Sequence, residues 1–374
     1  MKYMGSKRSM LQNGLGTLID EAVVSHDRFV DLFTGSAAVA WHVAERYGIE
    51  VLAGDLQEYS VALANGVLAR TDTVSEEVFA DWLAEAETKI EAAKLGAALQ
   101  LHDELQTVAI REIAERARQL CQLPGGPVFN AYGGYYFSPL QSIWLDALRA
   151  TLPGGNARYA ALSSLIWAAS RCAAAPGHTA QPFKPNETAG RFVIEAWSRD
   201  VVAAARQAFS SIATRSAKVL GAAVRADALS LASELGEGDL VFLDPPYSGV
   251  HYSRFYHVLE TLTQGDAVEV FGEGRYPHRE KRPRSDYSVK QGASRALDEL
   301  LARLGGARCT AILTFPSART SNGLSGDLVK EIAERHFTIS VEKVSSRFST
   351  LGGNRQHREA RLAAEELILY LRSN

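Results

Sequence analysis

The sequence predicts an α/β fold in which a parallel sheet carries an inserted, mostly helical domain. Three observations lead there. Strand and helix patterns alternate over the first 70 residues, the alternation resumes after residue 192, and the stretch between them has a different, helix-forming composition. One domain is therefore expected from residues 1–70 and 192–374, with residues 71–191 inserted into it.

Taken in order, residues 7–22 have helical spacing and residues 28–32 form a short apolar strand that ends in Asp31-Leu32-Phe33-Thr34-Gly35-Ser36. A helix over 37–47 and a strand over 50–54, ending at Asp55, complete a strand-turn-helix-strand unit. Such a unit implies a right-handed crossover, a parallel sheet and a ligand at the carboxyl ends of the strands. From 75 to 120, Ala, Glu and Leu recur at helical spacing without proline, which predicts a pair of long helices. Pro124-Gly125-Gly126-Pro127 ends that pattern, and residues 129–139 are dense in Gly, Tyr and Phe. An apolar helix over 157–173, an irregular loop over 175–183 and one helix over 192–212 follow. Strands are expected at 222–225, ending near Asp227, and at 239–243, ending in Asp244-Pro245-Pro246-Tyr247. The last elements are strands at 311–315 and 365–371, with a helix over 327–336 between them.

Composition narrows the function classes. The 374 residues carry 40 Lys plus Arg against 43 Asp plus Glu, a net charge of −3, and 46% are hydrophobic, enough to build a core. No stretch of about 18 apolar residues lacks a charge, since Arg171 interrupts the best candidate, so no membrane span is expected. The opening residues have no apolar leader pattern, which points to a cytoplasmic location. Cys121, Cys172 and Cys309 lie far apart without CxxC spacing or clustered His, so no metal site is expected. The charge is unevenly spread. Residues 72–118 hold eleven acids against five bases, whereas 275–295 hold seven bases against two acids, and 343–361 are basic again. Two basic stretches on a near-neutral chain are solvated loops or one phosphate-facing surface.

The chemistry concentrates at strand ends. In Asp244-Pro245-Pro246-Tyr247, two prolines stiffen the loop and remove two backbone donors. A carboxylate, the Pro245 carbonyl and the Tyr247 ring are left together, a set that matches an exocyclic amino group on a planar ring; the bland alternative is a rigid turn. The turn after Asp31 lacks the three-glycine spacing that cradles a pyrophosphate, which favours a ligand without phosphates. Asp55 follows Asp31 by 24 residues, near the spacing at which an acid reaches ribose hydroxyls, although helix capping would also explain it. Lys7, just past Gly5-Ser6, could hold a carboxylate at the start of the first helix.

Together, Lys2-Tyr3-Met4-Gly5-Ser6-Lys7, Asp31 to Ser36 and Asp244 to Tyr247, with Ser346-Arg347-Phe348-Ser349 and Glu365-Glu366-Leu367-Ile368 near the end, resemble the Dam-like DNA adenine-N6 methyltransferases. Ala37 stands where that family commonly has a second glycine. The resemblance implies a Rossmann-like S-adenosylmethionine-dependent methyltransferase sheet with a helical target-recognition insertion. It also implies transfer of a methyl group from S-adenosylmethionine to the N6 amine of adenine in double-stranded DNA, by base flipping and direct in-line attack. Asp244, Pro245, Pro246 and Tyr247 would then be catalytic, and Tyr3, Lys7, Asp31, Phe33, Gly35, Ser36, Asp55 and Asp227 would hold the cofactor. Arg279, Lys281, Arg282, Arg284, Arg347, Arg355 and Tyr256 are expected at the DNA. A cognate restriction endonuclease is the implied partner, and the chain would act as a monomer or weak dimer. The segment 129–139 is either a DNA-facing loop or a packed connector, and His251, Tyr252, Arg254 and Tyr256 either close over the flipped base or pack a helix. Two rivals keep the fold: an RNA guanine exocyclic-amine methyltransferase and a catalytically silent DNA-recognition subunit.

Overall fold

The structure, a computed structural model, describes residues 7–347 and 363–373. Nine strands are described: β1 Arg28–Asp31, β2 Glu50–Asp55, β3 Ala222–Arg225, β4 Asp239–Leu243, β5 Val270–Phe271, β6 Tyr276–Pro277, β7 Thr310–Pro316, β8 Phe337–Arg347 and β9 Ala363–Ser373. Seven of them form one sheet in the order β3-β2-β1-β4-β7-β9-β8. The first five in that order run parallel, and β9 enters antiparallel to both β7 and β8. The strand order reverses between β1 and β4, which makes their carboxyl ends the expected ligand crevice. At the opposite edge Arg28 ties the two strand starts together with a two-pronged pair to Asp239, at 2.8 and 2.9 Å.

Contacts divide the chain into two compact units. The sheet unit comprises the described residues up to Asp72, then Ser216–Ser253 and Pro283 onward. Its core forms because β4 and β7 are apolar on both faces, as parallel strands covered by helices require. On one face Leu297, Leu300, Leu301 and Leu304, at helical spacing on Ala293–Gly306, pack with Val241, Leu243, Ala311 and Leu313.

The helical unit comprises Thr73–Arg215 and Arg254–Arg282, and so extends beyond the expected insertion. The helix Val201–Ala213 packs along the helix Gly155–Cys172 instead of the sheet, burying Ala205, Ala208, Phe209 and Ile212. Its 3.6-residue period announces an apolar face without saying what the face meets. The short ladder of β5 with β6 and the helix His257–Gln264 also belong to this unit.

Several predicted helices are divided, each at a backbone break. The first gives Arg8–Leu11 and Leu15–Val23, separated at Gly14, whose φ is +86°. The predicted pair over 75–120 is three helices, Glu77–Glu87, Ala92–Asp103 and Ile110–Leu120, because Glu91 and Ala109 are extended. The single helix expected over 192–212 is Gly190–Trp197 and Val201–Ala213, and Asp200 caps the second by accepting from the Ala203 amide at 3.0 Å. Strand β8 had no counterpart in the expected elements. Replacing Asp200 with Ala should lower stability by about 1 kcal/mol, the usual value of such a cap, read as a shift in the urea midpoint.

Candidate active site

The apolar strand β4 ends at Asp244, and its neighbour β7 brings Thr314 alongside, one residue past the Leu243–Leu313 register. The Thr314 hydroxyl donates to Asp244 Oδ1 at 3.0 Å. Lys7 Nζ lies 3.0 Å from the same oxygen and 2.9 Å from Glu366 Oε2 on β9. The Lys7 and Glu366 side chains are only 5% and 6% exposed, so the ammonium lies where an unpaired charge would be costly. Burial alone pulls Lys7 down; Asp244 and Glu366 together reverse this and hold it above its ordinary value. Asp244 is raised, by burial first and with Glu366 adding, against the lowering effect of Lys7.

Beyond Asp244 the loop is anchored by Asn322, a fully buried residue with no counterpart among the expected site residues. Its Nδ2 donates to the carbonyls of Pro246 and Tyr287, both at 2.9 Å. Its Oδ1 accepts from the Thr320 hydroxyl at 2.6 Å and the Leu324 amide at 3.3 Å. All four hydrogen-bonding positions of the amide are thereby filled, which fixes its orientation. The Pro246 carbonyl is occupied, whereas the Pro245 carbonyl accepts no hydrogen bond among the described residues. Tyr247 sets its ring edge-on to Phe315 with centroids 6.5 Å apart, and burial pushes its hydroxyl up to about 12.

Asp31 ends β1 beside this loop, since β1 pairs with β4 at Asp31 and Phe242. It is 1% exposed, accepts from the Phe33 amide at 3.2 Å and has no basic side chain paired with it among the described residues. Burial pushes its carboxyl up to about 8, and the Asp244 and Asp55 carboxylates add to the rise. A positively charged group placed there would restore its ionisation, so the site suits a cationic ligand. The turn that follows places Gly35 and Ala37 at φ of +51° and +60°. Ala37 thus takes the left-handed conformation that glycine adopts most easily. Phe33 meets Tyr287 edge-on at 5.1 Å to form an aromatic wall, and Ser36 is partly exposed. Asp55 accepts from the Gly35 and Gln57 amides, each at 2.9 Å, so it braces this turn. Asp227 is exposed after β3 and caps the helix Ala228–Ala232 through the Leu229 amide at 2.9 Å.

The residues expected at DNA fall in both units. Arg279 and Lys281 are exposed in the helical unit, Arg282 is half-buried there, and Arg284 is exposed in the sheet unit. Tyr256 does not reach a surface: it is 1% exposed, because the helix that begins after it turns Val258, Leu259 and Leu262 into the core of the helical unit. Tyr3, Arg355 and the Arg347 side chain lie outside the described residues. The segment 129–139 is the packed connector, with Tyr132, Tyr136 and Phe137 buried and the Tyr132 hydroxyl 2.9 Å from that of Thr261. Thr314, Asn322 and Glu366 escaped the sequence-based choice of site residues. The available signal was a polar side chain inside an apolar strand, Thr314 in β7 and Glu366 in β9, which alternation marks as odd without naming a partner.

A family model described as D12 class N6 adenine-specific DNA methyltransferase matches residues 3–115 and 204–307, together more than half of the chain. Among curated relatives, Modification methylase LlaI of Lactococcus lactis subsp. lactis is 30% identical over 142 residues, 37% of this chain and 21% of that protein. Type II methyltransferase M.FokI of Planomicrobium okeanokoites is 36% identical over 67 residues, 18% of this chain and 10% of that protein. The chain therefore spans about a fifth or less of the length of these relatives.

Two outcomes follow from the geometry. Asp31 titrates near 4 in an unfolded chain and at about 8 in the fold, so its stability contribution is complete below about pH 4 and is lost as pH rises toward 8. Thermal unfolding of Asp31→Asn without added methyl donor should therefore vary less with pH over that window than the wild type. Asn322→Asp turns a carboxylate toward two carbonyls and should cost roughly 3 kcal/mol, measured by urea unfolding.

Proposed function

The chain belongs to the D12 class N6 adenine-specific DNA methyltransferase family, and on that premise we propose that it methylates the N6 amine of adenine at a specific site in double-stranded DNA, with S-adenosylmethionine as methyl donor. The observation that carries this reading is the Asp244 carboxylate, held by Lys7 and Thr314 at the end of β4, beside the buried Asp31 at the end of β1, which has no basic partner among the described residues. When bound, S-adenosylmethionine supplies a methyl group already activated on a cationic sulfonium.

The residues divide the remaining work. Asp31 with Phe33, Gly35 and Ser36 would bind the methionine end, where the buried carboxyl answers a positive charge. Asp55 would meet the ribose from the turn that it braces, and Asp227 the cofactor adenine. Lys7, engaged by Asp244 and Glu366, is assigned to orienting Asp244 in place of gripping a cofactor carboxylate. The flipped target adenine would stack on Tyr247 and donate its two amino hydrogens to Asp244 and the Pro245 carbonyl. These acceptors would aim the nitrogen lone pair along the line of attack and stabilise the positive charge that builds on nitrogen as the N–C bond replaces the methyl–sulfur bond, whose electrons stay on sulfur as a neutral thioether. The extra proton then leaves the amino group for water. Asp244 serves as an acceptor, because Lys7 keeps its carboxylate from becoming a strong base. The relatives' names, a modification methylase and a Type II methyltransferase, favour a cognate restriction endonuclease as partner, with the chain a monomer or weak dimer in the cytoplasm.

The test offers labelled methyl donor to unmethylated genomic DNA, structured RNA and protein in parallel, followed by nucleoside analysis. N6-methyladenine in DNA, reduced at least about a hundredfold in Asp244→Ala, is the expected result. Label in RNA guanine would move the substrate, and no label anywhere would leave a DNA-recognition subunit.

A further inference from the structure

Two tyrosines of the helical unit each carry two guanidiniums over the ring, and the two stacks differ in what those guanidiniums do. Arg118 and Arg275 both lie 4.4 Å from the Tyr135 centroid. Arg118 Nε donates to the Gly134 carbonyl at 3.1 Å, and Arg275 donates to the carbonyls of Ala131 and Asn130 at 2.8 and 3.2 Å. These two arginines tie loops of the unit together.

Arg254 and Arg282 lie 4.6 and 5.4 Å from the Tyr276 centroid. Among the described residues neither guanidinium forms a salt bridge or donates a hydrogen bond, and Arg282 Nε is buried without a partner. Burial disfavours the Arg282 charge, and Arg254 and Arg279 nearby disfavour it further. Of the two acids in residues 273–282, Glu273 pairs with Lys184 at 3.1 Å, and the exposed Glu280 lies 3.6 Å from His278, an ion pair only when that imidazole is protonated.

The mount of this second stack is rigid. The Tyr276 hydroxyl donates to the Ala180 carbonyl, and its ring lies 4.9 Å from that of His257. The buried His257 imidazole stands between the carbonyl oxygens of Arg254, at 3.1 Å, and Gly274, at 2.9 Å. The Gly274 carbonyl also accepts from the Tyr136 hydroxyl at 2.9 Å. Burial lowers the His257 pKa to about 4, so the neutral ring donates to one of these carbonyls and packs against the other, between the backbone that presents Arg254 and the backbone next to Tyr276. Collecting like charges on a fixed mount without a counter-ion is unfavourable until an anion arrives, and guanidinium forks match phosphate oxygens.

We propose that Arg254 and Arg282 on the Tyr276 ring, with Arg279 beside them, bind a backbone phosphate of the DNA duplex without reading a base. The inference rests on the DNA substrate of the preceding section and adds which groups hold the duplex. It also divides the basic stretch that the sequence presents as one, since Arg275 serves the fold and Arg254, outside that stretch, joins the site.

The test is anisotropy titration of the full chain with a labelled DNA duplex at several salt concentrations, for Arg254→Gln, Arg282→Gln, their double variant and Arg275→Gln. Each of the first two should weaken binding roughly tenfold at low salt and reduce the slope of log K against log salt by about 1, equally for duplexes of unrelated sequence. Arg275→Gln should lower the melting temperature and leave the slope intact. An unchanged slope in the double variant or an equal slope loss in Arg275→Gln would overturn the inference. Wild-type protein that methylates no DNA would instead strike the reading of the catalytic site, so the two failures are distinguishable.

Discussion

A buried ammonium keeps its charge only among anions, and in the sheet unit that requirement falls on Lys7. Its two partners come from distant parts of the chain, Asp244 from the end of β4 and Glu366 from β9. The three groups share one charge balance, so each location depends on the others. Loss of Lys7 would leave two buried carboxylates facing each other; loss of either carboxylate would leave the ammonium half-compensated. Because Lys7 immediately precedes the first helix, the same interaction attaches the beginning of the described chain to strands formed much later in sequence.

Asp31 completes the electrostatic picture by having no such partner among the described residues. It stands on the strand next to Asp244, and its carboxyl is held up by burial and by its acidic neighbours. A protein gains no stability from a buried acid in that state at neutral pH, so the arrangement makes sense as a receptor for positive charge. The two acids are thus differentiated by surroundings alone. One is held by an ammonium and a hydroxyl, and the other, among the described residues, accepts from a backbone amide and has no basic side chain beside it, both at the point where the strand order reverses.

Around these acids the structure fixes backbone with side chains. Asn322 holds the Pro246 and Tyr287 carbonyls at once, and Tyr287 in turn meets Phe33 on the turn after β1. The Asp244–Tyr247 loop and the Phe33–Tyr287 ring pair therefore share one buried amide. Asp55 does similar work for the Gly35 turn. In the helical unit, the contrast between the Tyr135 and Tyr276 stacks shows how two alike arrangements separate by hydrogen bonding: the guanidiniums on Tyr135 reach carbonyl acceptors and are struts, whereas those on Tyr276 have no such acceptor among the described residues.

The sequence by itself determined the α/β class, the positions of β1, β2, β3 and β4, and the acids at their ends. These are local properties: an apolar run of strand length and the turn residues after it are contiguous in the chain. It also carried the family resemblance through Asp31 to Ser36 and Asp244 to Tyr247. Only the tertiary structure decided which helices face the sheet, that Tyr256 lies in a core, and that Lys7 answers Asp244. Val201–Ala213 has the same amphipathic period whichever partner it meets, and Glu366 and Asn322 are ordinary residues until folding brings a distant ammonium or carbonyl within 3 Å. Periodicity reports that a face will be buried; the identity of what buries it is a contact between residues far apart in sequence, and only the folded chain contains that contact.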